Sequence, residues 1–210
     1  GHVVLLACIC MTTRAVRADE KAAVGRQIAE KWQKAVVTVK LAFKLRTVIE
    51  GRETQEREST AECTGTIIDP SGLAALCLSE ADPSQMMSWM VEEPGFKMET
   101  ETTSVKIQLW DGKEMAGKIV LRDKDLNLAF VRPLQKPAEA VPALDLSSDV
   151  KPGILEEILI LGRLGAVADR VSSISLDRVQ AIVSKPRTLY VPAMTAMFSG
   201  LGCPAFSLDG

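Results

Sequence analysis

A chain of 210 residues that is 47% apolar and 25% charged can bury one sizeable core or two small ones, which excludes bulk disorder. Its formal charge of -2, with no Lys/Arg cluster of the kind that tracks a phosphate backbone, excludes nucleic acid as a partner. The absence of a C-x-x-C pair and of any histidine cluster leaves no expected zinc site, and no other metal or cofactor is called for.

Taken in chain order, residues 1–18 carry a nine-residue apolar run from Val3 to Met11, then polar residues, then Val16-Arg17-Ala18 ahead of Asp19-Glu20. This is the pattern of the later part of a secretory signal peptide, with small residues before the cleavage point after Ala18. A buried helix is the alternative. The run is too short for a bilayer core of ~30 Å, which needs ~20 residues, so no membrane span is expected. Export to the periplasm or the outside follows. The chain opens on Gly without a basic leader region, so a fragment is expected. Cleavage would remove Arg14 and Arg17 and take the charge from -2 to -4. It would also remove Cys8 and Cys10, leaving Cys63, Cys77 and Cys203 of the five cysteines. An oxidising compartment then predicts a disulfide that involves Cys63 or Cys77, with its partner left open.

Residues 19–34 follow as a short amphipathic helix, with Ala22, Ala23, Ile28, Ala29 and Trp32 near helical spacing. Strands follow it. "AVVTVKLAF" is rich in β-branched residues, and "CTGTII" and "LAALCL" flank Asp69-Pro70-Ser71-Gly72, a type I turn pattern that predicts a hairpin. The stretch from Glu80 to Thr103 is rich in flexible apolar residues, namely Met86, Met87, Trp89, Met90, Phe96 and Met98. Such a set suits an adaptable protein or peptide contact surface. Its alternative is a core-covering helix capped by Asp82 and Pro83. "VKIQLW" and "KEMAGKIVLR" flank Asp111-Gly112, a two-residue hairpin signal, and "NLAFVRPL" is a further apolar strand. The segment "LQKPAEAVPALDL" reads as a linker and divides residues 35–136 from 137–210. Beyond it, "GILEEILILGRLG", "VSSISLDRVQAIVSK", "TLYVPAM" and "PAFSL" give more short strands. Many strands and little helix predict an all-β protein of barrel or sandwich type.

Four pieces in order, "TGTIIDPSGLAALCLSEA", "VKIQLWDGKEMAGKIVLRDKDLNLAFVRP", "ILILGRLG" and "SGLGCPAFSLDG", run from near Trp32 to the end. Together they resemble the HtrA-type branch of the trypsin-like serine proteases. The resemblance implies a double β-barrel, the first over residues 35–136 and the second over 137–210. It also implies an active site in the cleft between them, built from a His, an Asp and a Ser. The family's second barrel continues past the serine, so the second barrel here is expected to be incomplete, and further strands or PDZ domains are expected in a longer parent chain.

At the three catalytic positions the resemblance places Ser79 for the histidine, Asn127 for the aspartate and Leu201 for the serine. Asp125 lies two residues from Asn127, about 7 Å along a strand, and is a poor substitute. The oxyanion turn carries Ser199 where the family has glycine, then Gly202, then Cys203 in place of a second glycine. The only histidine of the chain is His2, so the mature protein has no imidazole to serve as general base. A Ser-His-Asp mechanism is excluded. Cys77 or Cys203 as a nucleophile lacks an activating base, and a Ser79 dyad would need a lysine supplied by the fold. The expectation is a non-enzymatic homologue, secreted or periplasmic, that binds protein or peptide or regulates. The alternatives are an active peptidase with a misaligned site and an unrelated structural β domain.

Overall fold

The computed structural model describes residues 20–49, 52–84, 96–147, 150–193 and 202–209. Helix α1 spans 20–32 and passes through a 3-10 turn, Gln33–Ala35, into the first strand. The expected helix is thus present, with its last turn tightened. Residues 1–19, which include the expected leader, lie outside the described residues.

Six strands close a barrel: β1 (Val36–Ile49), β2 (Arg52–Asp69), β3 (Leu73–Cys77), β4 (Phe96–Gln108), β5 (Glu114–Asp123) and β6 (Leu128–Pro133). They are ordered β1-β2-β3-β6-β5-β4, and every described pairing is antiparallel. A four-residue helix, α2 (Leu78–Ala81), follows β3 directly. Closure removes sheet edges where the ladders are complete. Strand alternation aims Val37, Val39, Leu41 and Phe43 of β1 inward, to meet Cys63 and Ile67 of β2, Leu76 of β3, Ile107 of β4 and Val131 of β6. Burying each large aliphatic side chain here stabilises the barrel by roughly 1.5–3 kcal/mol.

Both expected hairpins form. Gly72 N–H bonds Asp69 O at 2.9 Å, and Asp69 Oδ1 accepts Ser71 N–H at 2.8 Å. Gly72 has φ +87, and a Cβ there would lie 2.8 Å from Pro133 Cγ. The second turn is one residue wider than its Asp-Gly signal predicts. Leu109 N–H bonds Lys113 O, which leaves Trp110, Asp111 and Gly112 in the loop with only Gly112 (φ +83) left-handed. A two-residue type I′ loop needs positive φ at both central residues; a three-residue loop asks it of the glycine alone.

The Pro-rich segment is irregular, as expected, but it is packed against the barrel. Val141 is buried in the barrel's core cluster, and the N–H groups of Val141 and Leu144 bond Pro70 O and Ile67 O. Beyond it, β7 (Glu157–Arg163), β8 (Ser172–Val183), β9 (Leu189–Pro192) and β10 (Ala205–Ser207) form a sheet in the order β10-β7-β8-β9. The expected incomplete second barrel is therefore, among the described residues, an open four-stranded sheet.

Helix α1 lies on this sheet. A Cβ on Gly25 would stand 3.7 Å from Ile174 and 3.9 Å from Leu159, and Lys21 pairs with Glu157 at 2.6 Å. Arg163 then joins sheet to barrel. Its guanidinium donates to Val36 O at 3.0 Å, Gln33 O at 3.1 Å and Arg170 O at 2.9 Å.

Candidate functional site

Ser79 and Asn127 meet, although 48 residues separate them. Asn127 sits at the start of β6 in the left-handed region, φ 55, a conformation asparagine tolerates better than most residues. The turn leading to it is held by Asp123 Oδ1, which accepts Leu126 N–H at 2.9 Å. From there Asn127 holds the first turn of α2 twice: its backbone O accepts Leu78 N–H at 2.8 Å and its Oδ1 accepts Ser79 N–H at 2.9 Å. Its Nδ2 donates to Ser79 Oγ at 3.2 Å and to Cys77 Sγ at 3.3 Å, and Ser79 Oγ stands 3.1 Å from Cys77 Sγ. Every partner is a neutral group, so nothing in the cluster removes a proton from the Ser79 hydroxyl. The lysine that a Ser79 dyad would need is not among its hydrogen-bond partners.

The third segment of the expected constellation arrives beside them. Gly202 has φ +75, and a Cβ on it would fall 2.3 Å from Thr64 O and 3.3 Å from Cys77 N. Thr66 Oγ1 donates to Gly202 O at 3.0 Å. Only glycine allows the chain to come this close to β2 and β3. Cys203 follows, packed beside the cluster of Ile158, Ile160 and Val179 on the second sheet. Leu201 and Ser199 lie outside the described residues, as do Met86, Met87, Trp89 and Met90. Phe96 and Met98 are half-buried at the start of β4. Asp82 turns its carboxylate onto Ser84, with Oδ1 2.6 Å from the hydroxyl, as an Asx cap does. Asp125 is 84% exposed and faces Arg187 at 3.7 Å, away from the cluster.

The thiols of Cys203 and Cys63 are poor nucleophiles. Burial, helped by the charge of Glu80, pushes the Cys203 thiol up to about 12, with a hydrogen bond from the Thr64 side chain acting the other way. Burial, then Glu80, then Cys77, push Cys63 up to about 12 as well. Glu80 itself is raised to about 7 by burial. At neutral pH the thiolate fraction of Cys63 and Cys203 is therefore on the order of 10⁻⁵. The expected disulfide is absent: among the described residues Cys63, Cys77 and Cys203 form no disulfide. The ladder explains why the hairpin pair does not bridge. Gly65 opposes Leu76, so one step on Thr64 opposes Cys77, and Cys63 and Cys77 point to opposite faces of the sheet. Cys63 belongs to the barrel interior and Cys77 to the side of Gly202.

Among the described residues no group of three or more His, Cys, Asp or Glu side chains is arranged to hold a metal, and no helix is long and apolar enough to cross a membrane. Sequence reading missed Thr64, Thr66 and Glu80, which frame the cluster. Only the adjacency of Glu80 to Ser79 was there to find. No family model matches the chain, and no curated protein matches it.

Proposed function

We propose that this chain is a degenerate, catalytically inactive homologue of the HtrA-type serine proteases that acts in an exported compartment as a protein- or peptide-binding or regulatory module. One observation carries the proposal. Two positions chosen by resemblance alone, Ser79 and Asn127, share one hydrogen-bonded cluster with Cys77, and Gly202 from the third segment lies against it, where a Cβ would stand 3.3 Å from Cys77 N. Their proximity across distant parts of the sequence supports this reading. The chemistry of the cluster supports the inactive half: a hydroxyl, a thiol and a carboxamide supply neither a base nor a charge to stabilise one. Further support is that the chain's only histidine is His2.

The test is a fluorophosphonate probe with an unfolded casein substrate. The purified protein is expected to leave the probe unreacted and the casein intact, while retaining casein in a pull-down. Labelling of a serine, abolished by mutating that serine, would overturn the inactive reading. Intact casein without retention would remove the binding half and leave an inert fold. The triple change Ser79→His, Asn127→Asp and Leu201→Ser is expected to restore little turnover, since Ser199 and Cys203 still stand where the family's oxyanion turn has glycines.

A further inference from the structure

We infer that the outer edge of β2, from Gln55 to Ala61, is a docking site for an extended basic protein segment that adds to the barrel as one more strand. β3 pairs with β2 only from Gly65 to Asp69. Across 55–61 the inner side of β2 is fully laddered to β1, and among the described residues no backbone group pairs with its outer side. An edge of this length asks for an extended backbone, because only a strand can satisfy its alternating N–H and C=O groups.

The side chains specify the sign of that strand. Glu56 and Glu58 share one face of the sheet and are exposed. On this face charge alternates strand by strand. Glu99 and Glu101 of β4 oppose Arg46 and Lys44 of β1, which in turn oppose Glu56 and Glu58 of β2. The ordering is realised in contacts: Arg46 reaches Glu101 and Glu56, each at 2.9 Å, and Lys44 reaches Glu56 at 3.2 Å. The next strand outward continues the pattern if it is basic at every second position. Its other side chains would face Arg57 and Ser59, beside a groove of about 440 Å³ that Phe43 and Thr60 also line. Uncharged valine or threonine suits that side.

A second copy of the chain does not satisfy this edge. An antiparallel self-pairing about a two-fold axis at any residue from Glu56 to Thr60 sets a glutamate directly opposite a glutamate, drawn from Glu56, Glu58 and Glu62. Like charges directly opposed are destabilising. The stretch ends at Glu62, which Arg170 already occupies at 2.6 Å.

The surface is separate from the Ser79–Asn127 cluster, so each proposal can fail without the other. The experiment titrates ¹⁵N-labelled protein with a short synthetic peptide that alternates lysine with valine and threonine. Amide shifts are expected along 55–61 and their β1 partners. Binding is expected to weaken about tenfold or more when glutamate replaces the lysines, which sets like charges against Glu56 and Glu58, or when the protein carries Glu58→Lys, which turns one attractive cross-strand pair into a repulsive one. Spectral dispersion of the variant reports that it is folded. N-methylation of the peptide's bonding amides is expected to abolish the shifts with the protein left unchanged. Absence of shifts along 55–61, equal binding of the glutamate or N-methylated peptide, or a sedimenting dimer that Glu58→Lys alters would each overturn the inference.

Discussion

Two glycines with nearly the same backbone angle should respond very differently to a methyl group. Gly112 (φ +83) has open space where a Cβ would stand, whereas a Cβ on Gly202 (φ +75) would overlap Thr64 O at 2.3 Å. Gly112→Ala is expected to cost only the left-handed penalty of roughly 1 kcal/mol. Gly202→Ala is expected to cost at least ~2 kcal/mol more or to detach the segment from β2, read as a fall in urea midpoint and loss of the Thr66 hydroxyl bond. Equal effects would show that Gly202 does not approach β2 in solution. Glu80 offers a second test. Burial raises its folded pKa to about 7 from an ordinary 4.5, so the folded state binds the proton more tightly. Its contribution is full below about 4.5 and is lost as pH rises through about 7. The carboxyl keeps part of its contact with water, so the loss is on the order of 1 kcal/mol. Stability should fall between pH 5 and 8, and Glu80→Gln should flatten that slope; an unchanged slope would refute the assignment. At this scale the sequence told much. Ser79 and Asn127 are marked by the family resemblance, which sets them at the histidine and aspartate positions; local turn and strand signals alone do not single them out. Thr64 and Thr66 are not marked, since a threonine on a strand looks the same whether or not a distant loop lies over it.

At the level of elements, the period-two pattern and the turn residues made β2, β3 and the β4–β5 hairpin legible, and α1 showed in its apolar spacing. What α1 covers was not legible, because the faces of α1 and of the second sheet that meet are far apart in sequence. The same holds for Arg163, whose role rests on carbonyls at Gln33 and Val36, 130 and 127 residues away. Burial lowers the pKa of this guanidinium, so its contacts with carbonyls offset a real desolvation cost. Arg163→Lys keeps the charge but not the fork that spans three carbonyls. It is expected to lower unfolding stability by roughly 1.5–3 kcal/mol, the range for hydrogen bonds to a charged group. Calorimetry measures this; a lysine variant as stable as the parent would show that a point charge suffices.

For the whole molecule, the barrel and the sheet are unequal partners. The barrel is closed and holds the larger share of fully buried aliphatic side chains, among them Leu41, Ile67, Leu76 and Ile107. The sheet has two faces and, on the side of Leu159 and Ile174, a lid that is a single helix. Strand β8 leaves Leu176 at 49% and Val183 at 41% exposure, and the outer strand β9 leaves Leu189 at 40%. Local stability follows such differences in burial. Native-state hydrogen exchange should therefore show two tiers, with β1, β3 and β6 slowest and β9 and β10 opening first. Deleting residues up to 32 strips Leu159 and Ile174 of cover and breaks the Lys21–Glu157 pair, yet removes no barrel strand. The deletion is expected to speed exchange in β7 and β8 by about tenfold or more, since uncovering two aliphatic side chains costs several kcal/mol. β3 and β6 should stay protected because their ladders and core lie within the closed barrel. Partly buried connections between barrel and sheet such as Arg163 to Val36 and Thr66 to Gly202 leave from β1 and β2, so those two strands should change modestly. Exchange that accelerated equally in all ten strands would mean that barrel and sheet form one cooperative unit, and that α1 supports the barrel as much as the sheet it covers.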